Sequence, residues 1–230
     1  MKKKWIIILM VFILMSTVYI IGKSRSTSNK ASPLVCLGNS LTAGHGADTP
    51  GVDNKEKSFP AFLQNRINIP VINAGVSGDT TAQGLSRVKN DVLSENPQIV
   101  IIELGGNDLL QGISLSTTQN NLQSILTMLN NGSRKIYLSK FYTETTARAM
   151  LTMLQITDFD EQTALINQYD AMFNTLATSN NAELIDDIWT GVWGIHMSDN
   201  IHPNKRGYEI MADNYFNALA PYLREKGFLK

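Results

Sequence analysis

With a single cysteine, Cys36, this chain of 230 residues has no partner for an internal disulfide. Histidine is almost as scarce. Only three are present, and none stands in the Cys/His spacing of a metal site, so no bound metal is expected. A net charge of either sign is missing too: 20 basic side chains balance 20 acidic ones. That balance hides an asymmetry. The first thirty residues hold no acid, but carry Lys2, Lys3, Lys4, Lys23, Arg25 and Lys30. With those six set aside, 14 basic side chains face 20 acidic ones, so residues 31–230 carry a net charge of −6. An acidic body without a basic stripe argues against nucleic acid as a partner. Cys36 lies inside an apolar run and reads as a buried core thiol.

The longest apolar run is Trp5–Ile21, WIIILMVFILMSTVYII, behind MKKK. As a helix it would span about 26 Å, slightly less than a hydrocarbon core of roughly 30 Å. Residues 1–22 are therefore expected to be a membrane anchor or a signal segment. Lysines precede the run, and Lys23, Arg25 and Lys30 come after it, so flanking charge barely orients it. The preferred reading is an anchor with the domain outside the cytoplasm, or a secreted domain if the segment is cleaved. Residues 23–33 read as a polar linker, and residues 34–230 as the folded domain.

From Leu34 onward strand-like and helix-like patterns alternate. Strands are expected at Leu34–Leu37, Val71–Ala74, Ile99–Leu104, Ile136–Leu138 and Leu184–Ile185. Helices are expected at Phe59–Ile67, Thr80–Ser94, Thr118–Leu129, Glu161–Thr178 and Lys205–Glu225. Such alternation predicts a parallel sheet with right-handed crossovers, an α/β fold. The stretch Thr143–Asp160 is the least regular, and reads as a spacer or, at greater risk, a flap.

In an open α/β sheet, sites form beyond the carboxyl ends of the strands. Gly38-Asn39-Ser40 comes after the first strand. NAGVSGDTT closes the second strand and runs past its end, with Gly78 in the loop. GGND, with Asn107, comes after the third. SDNIHPN, with Asp199 and His202, comes after the fifth. A serine needs a base, and His202 has Asp199 three residues before it and Pro203 after it. One loop can thus supply both a base and the carboxylate that orients it. Gly78 can offer a backbone N–H at close range, Asn107 a side-chain amide, and Ser40 its own N–H to a developing oxyanion. His45, in a Gly-His-Gly loop, reads as solvated and without a role, and His196 as a packing residue. Trp189, Val192, Trp193, Ile195 and Met197 lead into the Asp199 loop. Trp193 and Met197 are the candidates from this group for contacting an acyl chain.

Four blocks carry a family resemblance. GNSLTAG resembles the GDSL block of the SGNH hydrolases, NAGVSGDTT the second block, GGND the third, and DNIHP the D-x-x-H-P block, all in family order. VSGDTTAQGLSRV with ELGGNDLLQG is similar to the thioesterase I, arylesterase and lysophospholipase branch. The resemblance implies a flavodoxin-like three-layer sandwich of SGNH hydrolase type, with a five-stranded parallel sheet in the order 2-1-3-4-5. It implies Ser40 as nucleophile, His202 as base and Asp199 as its orienter. It also implies an oxyanion hole of Ser40, Gly78 and Asn107. No cofactor is implied. The usual block has an acid where this chain has Asn39, and often an aromatic where it has His45. Loss of the acid is expected to reduce or retune activity rather than abolish it.

The function these readings favour is hydrolysis of acyl esters or thioesters, with a lipid or small acyl ester as partner and the chain acting as a monomer. An O-acetylesterase on envelope glycans is the alternative. A catalytically dead acyl-binding module is the reading from another class.

Overall fold

The computed structural model describes residues 31–230. The segment 1–22 and the linker up to residue 30 lie outside the described residues, so the anchor or signal reading rests on sequence. Among the described residues, no helix is long and apolar enough to cross a membrane.

Five strands form one sheet: β1 (Leu34–Gly38), β2 (Val71–Gly75), β3 (Ile99–Glu103), β4 (Lys135–Ser139) and β5 (Glu183–Ile185). They lie in the order β2-β1-β3-β4-β5, and every pairing is parallel. The central strands are buried on both faces, as their continuous apolar runs require. Their side chains alternate between two cores. Val35 and Leu37 of β1 and Val100 and Ile102 of β3 join one cluster, while Leu34, Cys36, Ile99 and Ile101 join the other. Burial pushes the Cys36 thiol well above its ordinary pKa, as expected for a core residue.

Helices cover both faces. Eight are present among the described residues: α1 (Ser40–Ala43), α2 (Phe59–Gln64), α3 (Thr81–Arg87), α4 (Gly106–Leu110), α5 (Leu115–Leu129), α6 (Glu144–Met153), α7 (Phe159–Ser179) and α8 (Lys205–Glu225). Leu122, Ile125, Leu126 and Leu129 of α5 pack with Phe173 and Leu176 of α7 over the first core. Phe59 and Leu63 of α2 pack with Tyr208, Tyr215 and Leu219 of α8 over the second, where the Phe59 and Tyr215 rings stack at 4.2 Å. This is the expected three-layer sandwich.

Several boundaries differ from the sequence reading, each for a local reason. The helix expected over Thr80–Ser94 is α-helical only to Arg87, then opens into a π-turn at Val88–Val92 and a 3-10 turn at Leu93–Glu95. Helix α5 starts at Leu115 because the Ser114 side chain caps the N–H of Thr117. The stretch Thr143–Asp160, the least regular in sequence, is largely helical. Thr143 and Thr146 form a reciprocal cap that starts α6, which buries Ala147, Met150 and Leu151, and Asp158 caps α7. The two short helices α1 and α4 come directly after β1 and β3. Their few residues are too short for a periodic signal.

Candidate active site

The turn after β1 is built by close approach. A Cβ at Gly38 would lie 1.9 Å from the Thr42 hydroxyl and 2.9 Å from the Glu103 carbonyl oxygen. Only glycine lets β1 run this close to β3 before the chain turns. Asn39 then caps α1: its side-chain oxygen accepts from the Leu41 N–H at 3.0 Å. Ser40 is the first residue of that helix, so its N–H has no intrahelical acceptor.

The second side of the site comes from the loop before α8. Asp199 Oδ1 accepts from the backbone N–H groups of Ile201 at 2.8 Å and His202 at 2.7 Å. Met197 pairs with Pro203 in a short bridge, and Ser198 N–H donates to the His202 carbonyl at 2.8 Å. Asn204 caps α8 through the Gly207 N–H. A Cβ at Gly207 would lie 2.4 Å from the His196 carbonyl oxygen, so the loop can seat against the helix only there. His196 is half-buried in that packing.

These two sides meet. His202 Nε2 lies 3.0 Å from Ser40 Oγ, and His202 Nδ1 lies 2.8 Å from Asp199 Oδ2. Partial burial works against the Asp199 charge, but the Ile201 and His202 donors outweigh it and hold its pKa below the usual value. A carboxylate only accepts, so the proton of a neutral His202 ring sits on Nδ1 and the lone pair on Nε2 faces Ser40. Burial lowers the His202 pKa, and the opposing pull of Asp199 does not restore it. That shift favours the neutral ring, whose Nε2 can accept from Ser40.

Around Ser40 and His202 opens a cleft that Asn107 also lines. Its apolar wall is made by Leu110, Phe141, Met150, Trp189 and Ile201. Trp189 is fixed there by its indole N–H, which donates to the Phe141 carbonyl at 2.9 Å. Trp193 and Met197 do not line this cleft. Trp193 packs edge-on behind Trp189 at 5.2 Å, and Met197 is held in its bridge with Pro203. Asn107 donates one amide proton to the Asp79 carbonyl at 2.9 Å, which leaves the other for the cleft. Gly78 is exposed and lies off the cleft wall, with φ +85° and no atom within 4 Å of its Cβ position. Its loop is tied to the site: Val76 N–H donates to the Gly38 carbonyl at 3.1 Å, and Asp79 receives Asn107.

Four residues around the site were not singled out by the sequence reading. Arg87 reaches back from α3 to the Gly38 carbonyl at 2.8 Å, the Ala74 carbonyl at 2.6 Å and the Asp79 carboxylate at 2.5 Å, clamping the ends of β1 and β2 to the Gly78 loop. Asp108 accepts from Thr81 N–H at 2.8 Å and from the Thr118 hydroxyl at 3.3 Å, tying α4 to α3 and α5. Glu103 is fully buried under the Ser40 turn, where it accepts from Asn39 and Thr42. Its signal was a lone acid ending an apolar strand, IVIIE. Finally, Asp53 binds His45 at 2.7 Å, and the His45 ring lies 4.5 Å from that of His202. His45 is thus half-buried beside His202 rather than free in solvent.

The profile of the GDSL-like lipase/acylhydrolase family matches residues 36–210. Among characterised proteins, the chain is 28% identical to the esterase TesA of Pseudomonas aeruginosa over 201 residues, which cover 84% of this chain and 90% of that one. It is 37% identical over 98 residues to the thioesterase 1/protease 1/lysophospholipase L1 of Escherichia coli, 42% of this chain and 44% of that one. A crystal structure of TesA superposes with a TM-score of 0.65 at 25% identity, covering 82% of this chain and 98% of the other. The SGNH-hydrolase family esterase AlinE4 superposes at 0.58 with 32% identity, covering 86% and 99%. The chain is a hydrolase that belongs to the GDSL-like lipase/acylhydrolase family.

Proposed function

We propose that this chain is a serine ester hydrolase in which Ser40 attacks an acyl carbonyl while His202 takes its proton. The observation that carries the reading is the contact of Ser40 Oγ with His202 Nε2 at 3.0 Å, in a ring whose other nitrogen is bound to Asp199. Asp199 keeps the ring in the accepting tautomer and steadies the imidazolium that forms. The tetrahedral oxyanion is held by the Ser40 N–H, the free proton of the Asn107 amide and the Gly78 N–H. Support for Gly78 is the tether of its loop to Gly38 and Asn107. His202 then protonates the leaving alcohol or thiol, and water repeats the sequence on the acyl-enzyme.

The substrate is an acyl ester or thioester whose acyl part lies against Leu110, Phe141, Met150, Trp189 and Ile201. Such a wall favours an alkyl chain over a glycan acetyl group, whose surroundings would be polar. We further propose that residues 1–22 act as an anchor or signal segment that places the domain outside the cytoplasm.

The test is hydrolysis of p-nitrophenyl esters from acetate to palmitate by the full chain, with Ser40→Ala alongside. Turnover that vanishes in Ser40→Ala and peaks at an alkyl chain longer than acetyl supports the reading. Turnover that survives the substitution overturns the role of Ser40, and hydrolysis of acetyl esters alone transfers the substrate to the glycan class.

A further inference from the structure

Beside the Ser40–His202–Asp199 contacts lies a second His–Asp pair for which the proposed reaction has no use. His45 Nδ1 is 2.7 Å from Asp53 Oδ1, and the Ser77 hydroxyl donates to the same oxygen at 2.6 Å. Because the carboxylate only accepts, the proton of a neutral His45 ring sits on Nδ1. The lone pair on Nε2 then has no hydrogen-bond partner among the described residues. The backbone here is fixed as well, since the Tyr208 hydroxyl donates to the His45 carbonyl at 2.8 Å.

The second pair faces the first. The His45 and His202 ring centroids are 4.5 Å apart at a tilt of 54°. One donor atom each from His45, Asp199 and His202 falls within 4.8 Å of the other two. Two imidazoles and one carboxylate make a three-ligand set with a fourth position for water. Tetrahedral zinc, with bonds of about 2.0–2.2 Å, needs donors roughly 3.4 Å apart. The widest donor separation would have to close by up to about 1.4 Å to reach that spacing. His45 also has Asp53 on its Nδ1, an outer partner of the kind that orients a metal-binding imidazole.

We propose that a divalent cation of the zinc class binds at His45, Asp199 and His202 and reversibly blocks proton transfer from Ser40. The consequence for activity rests on the hydrolase reading above, but the binding itself does not. Asp199 meets the ring at Nδ1, so a metal shared with Asp199 takes His202 through Nδ1 in place of the proton there. A metal on Nδ1 leaves the ring proton on Nε2, which faces Ser40 as a donor. The base is then lost without a change in the fold. Imidazole favours zinc, copper and nickel, whereas magnesium and calcium favour oxygen ligands, so the block should be selective.

The test is titration of the metal-free full chain with Zn²⁺ against a chromophoric chelator, with esterase rates measured in parallel. The wild-type chain should bind one zinc, lose turnover in step with binding, recover it with EDTA, and ignore Mg²⁺. His45→Phe should keep its basal turnover and bind zinc at least tenfold more weakly. Asp53→Asn, which keeps the imidazole but loses its orienting carboxylate, should weaken binding by about 10–100-fold. Ser40→Ala should bind zinc as the wild type does, so the site remains readable even if Ser40 is not the nucleophile. Equal zinc affinity in wild type and His45→Phe, or no binding by the wild type, would overturn the proposal.

Discussion

The side-chain amide of Asn39 donates to Oε1 of Glu103 at 3.2 Å, and through that bond the buried end of β3 holds the turn that carries Ser40. Asn39 uses both ends of its side chain, since its oxygen also caps α1 at Leu41. An aspartate here would keep the cap but lose the donor. The residue that departs from the usual block is therefore a fitted partner for a buried acid.

Replacing Asn39 by Asp would place a second carboxyl about 3 Å from Glu103, where two like charges cannot both ionise. Asn39→Asp is expected to be nearly neutral at about pH 5, where a shared proton relieves the pair, and to lower stability by about 1–3 kcal/mol near pH 8. Thermal unfolding at the two pH values measures this. An equal loss at both would mean that the pair does not share a proton.

Glu103 itself makes stability depend on pH. Burial pushes its pKa up to about 8, although the donors on Thr42 and Asn39 pull the other way. The unfolded carboxyl would titrate at its ordinary value, 4.5. Between these values the folded state holds a proton that the unfolded chain has released, so stability falls as pH rises. The contribution is complete below the ordinary carboxylate range and lost as pH rises through about 8. The midpoint temperature should decline across that window, and Glu103→Gln should flatten the decline. A wild-type midpoint that rises from pH 5 to pH 8, with Glu103→Gln matching it, would show that Glu103 is ionised in the fold.

Asn107→Ala removes one donor of the proposed oxyanion hole. It also removes the donor that Asn107 gives to the carbonyl of the buried Asp79. Turnover should fall by about 10²–10³, or 2.7–4 kcal/mol, while the fold survives. Steady-state kinetics with circular dichroism separate the two effects. Near-normal kcat would remove Asn107 from the mechanism.

Arg87→Met should cost more in stability. The guanidinium is mostly enclosed, with 14% side-chain exposure against 9% for its partner Asp79. Removing it takes the Arg87 donors from a buried carboxylate and from the Ala74 carbonyl, while the Gly38 carbonyl keeps Val76 N–H, a loss of about 3–5 kcal/mol. Denaturant unfolding should show that loss. A change below about 1 kcal/mol would mean that water replaces the clamp. Should the variant fold, turnover should drop as well, because the Gly78 loop loses its anchor.

The sequence by itself determined the layers of this protein and the identity of its polar loops. Runs such as Leu34–Leu37 and Ile99–Leu104 are apolar on both faces, and only a covered parallel sheet accommodates them. Gly-Asn-Ser, Gly-Gly-Asn and Asp-x-x-His each end such a run or come after one, so strand polarity alone sends them to one edge. What the tertiary structure decided is which side chains complete the loops from a distance. Glu103 under Asn39, Arg87 across two strand ends, and His45 beside His202 are contacts between segments that carry no mutual signal along the chain. The cleft wall belongs to the same class. Trp189 lines the cleft while Trp193, edge-on to it at 5.2 Å, does not, and local spacing does not encode that choice. Periodicity reports which face of an element is buried; which partner meets that face depends on how the layers pack.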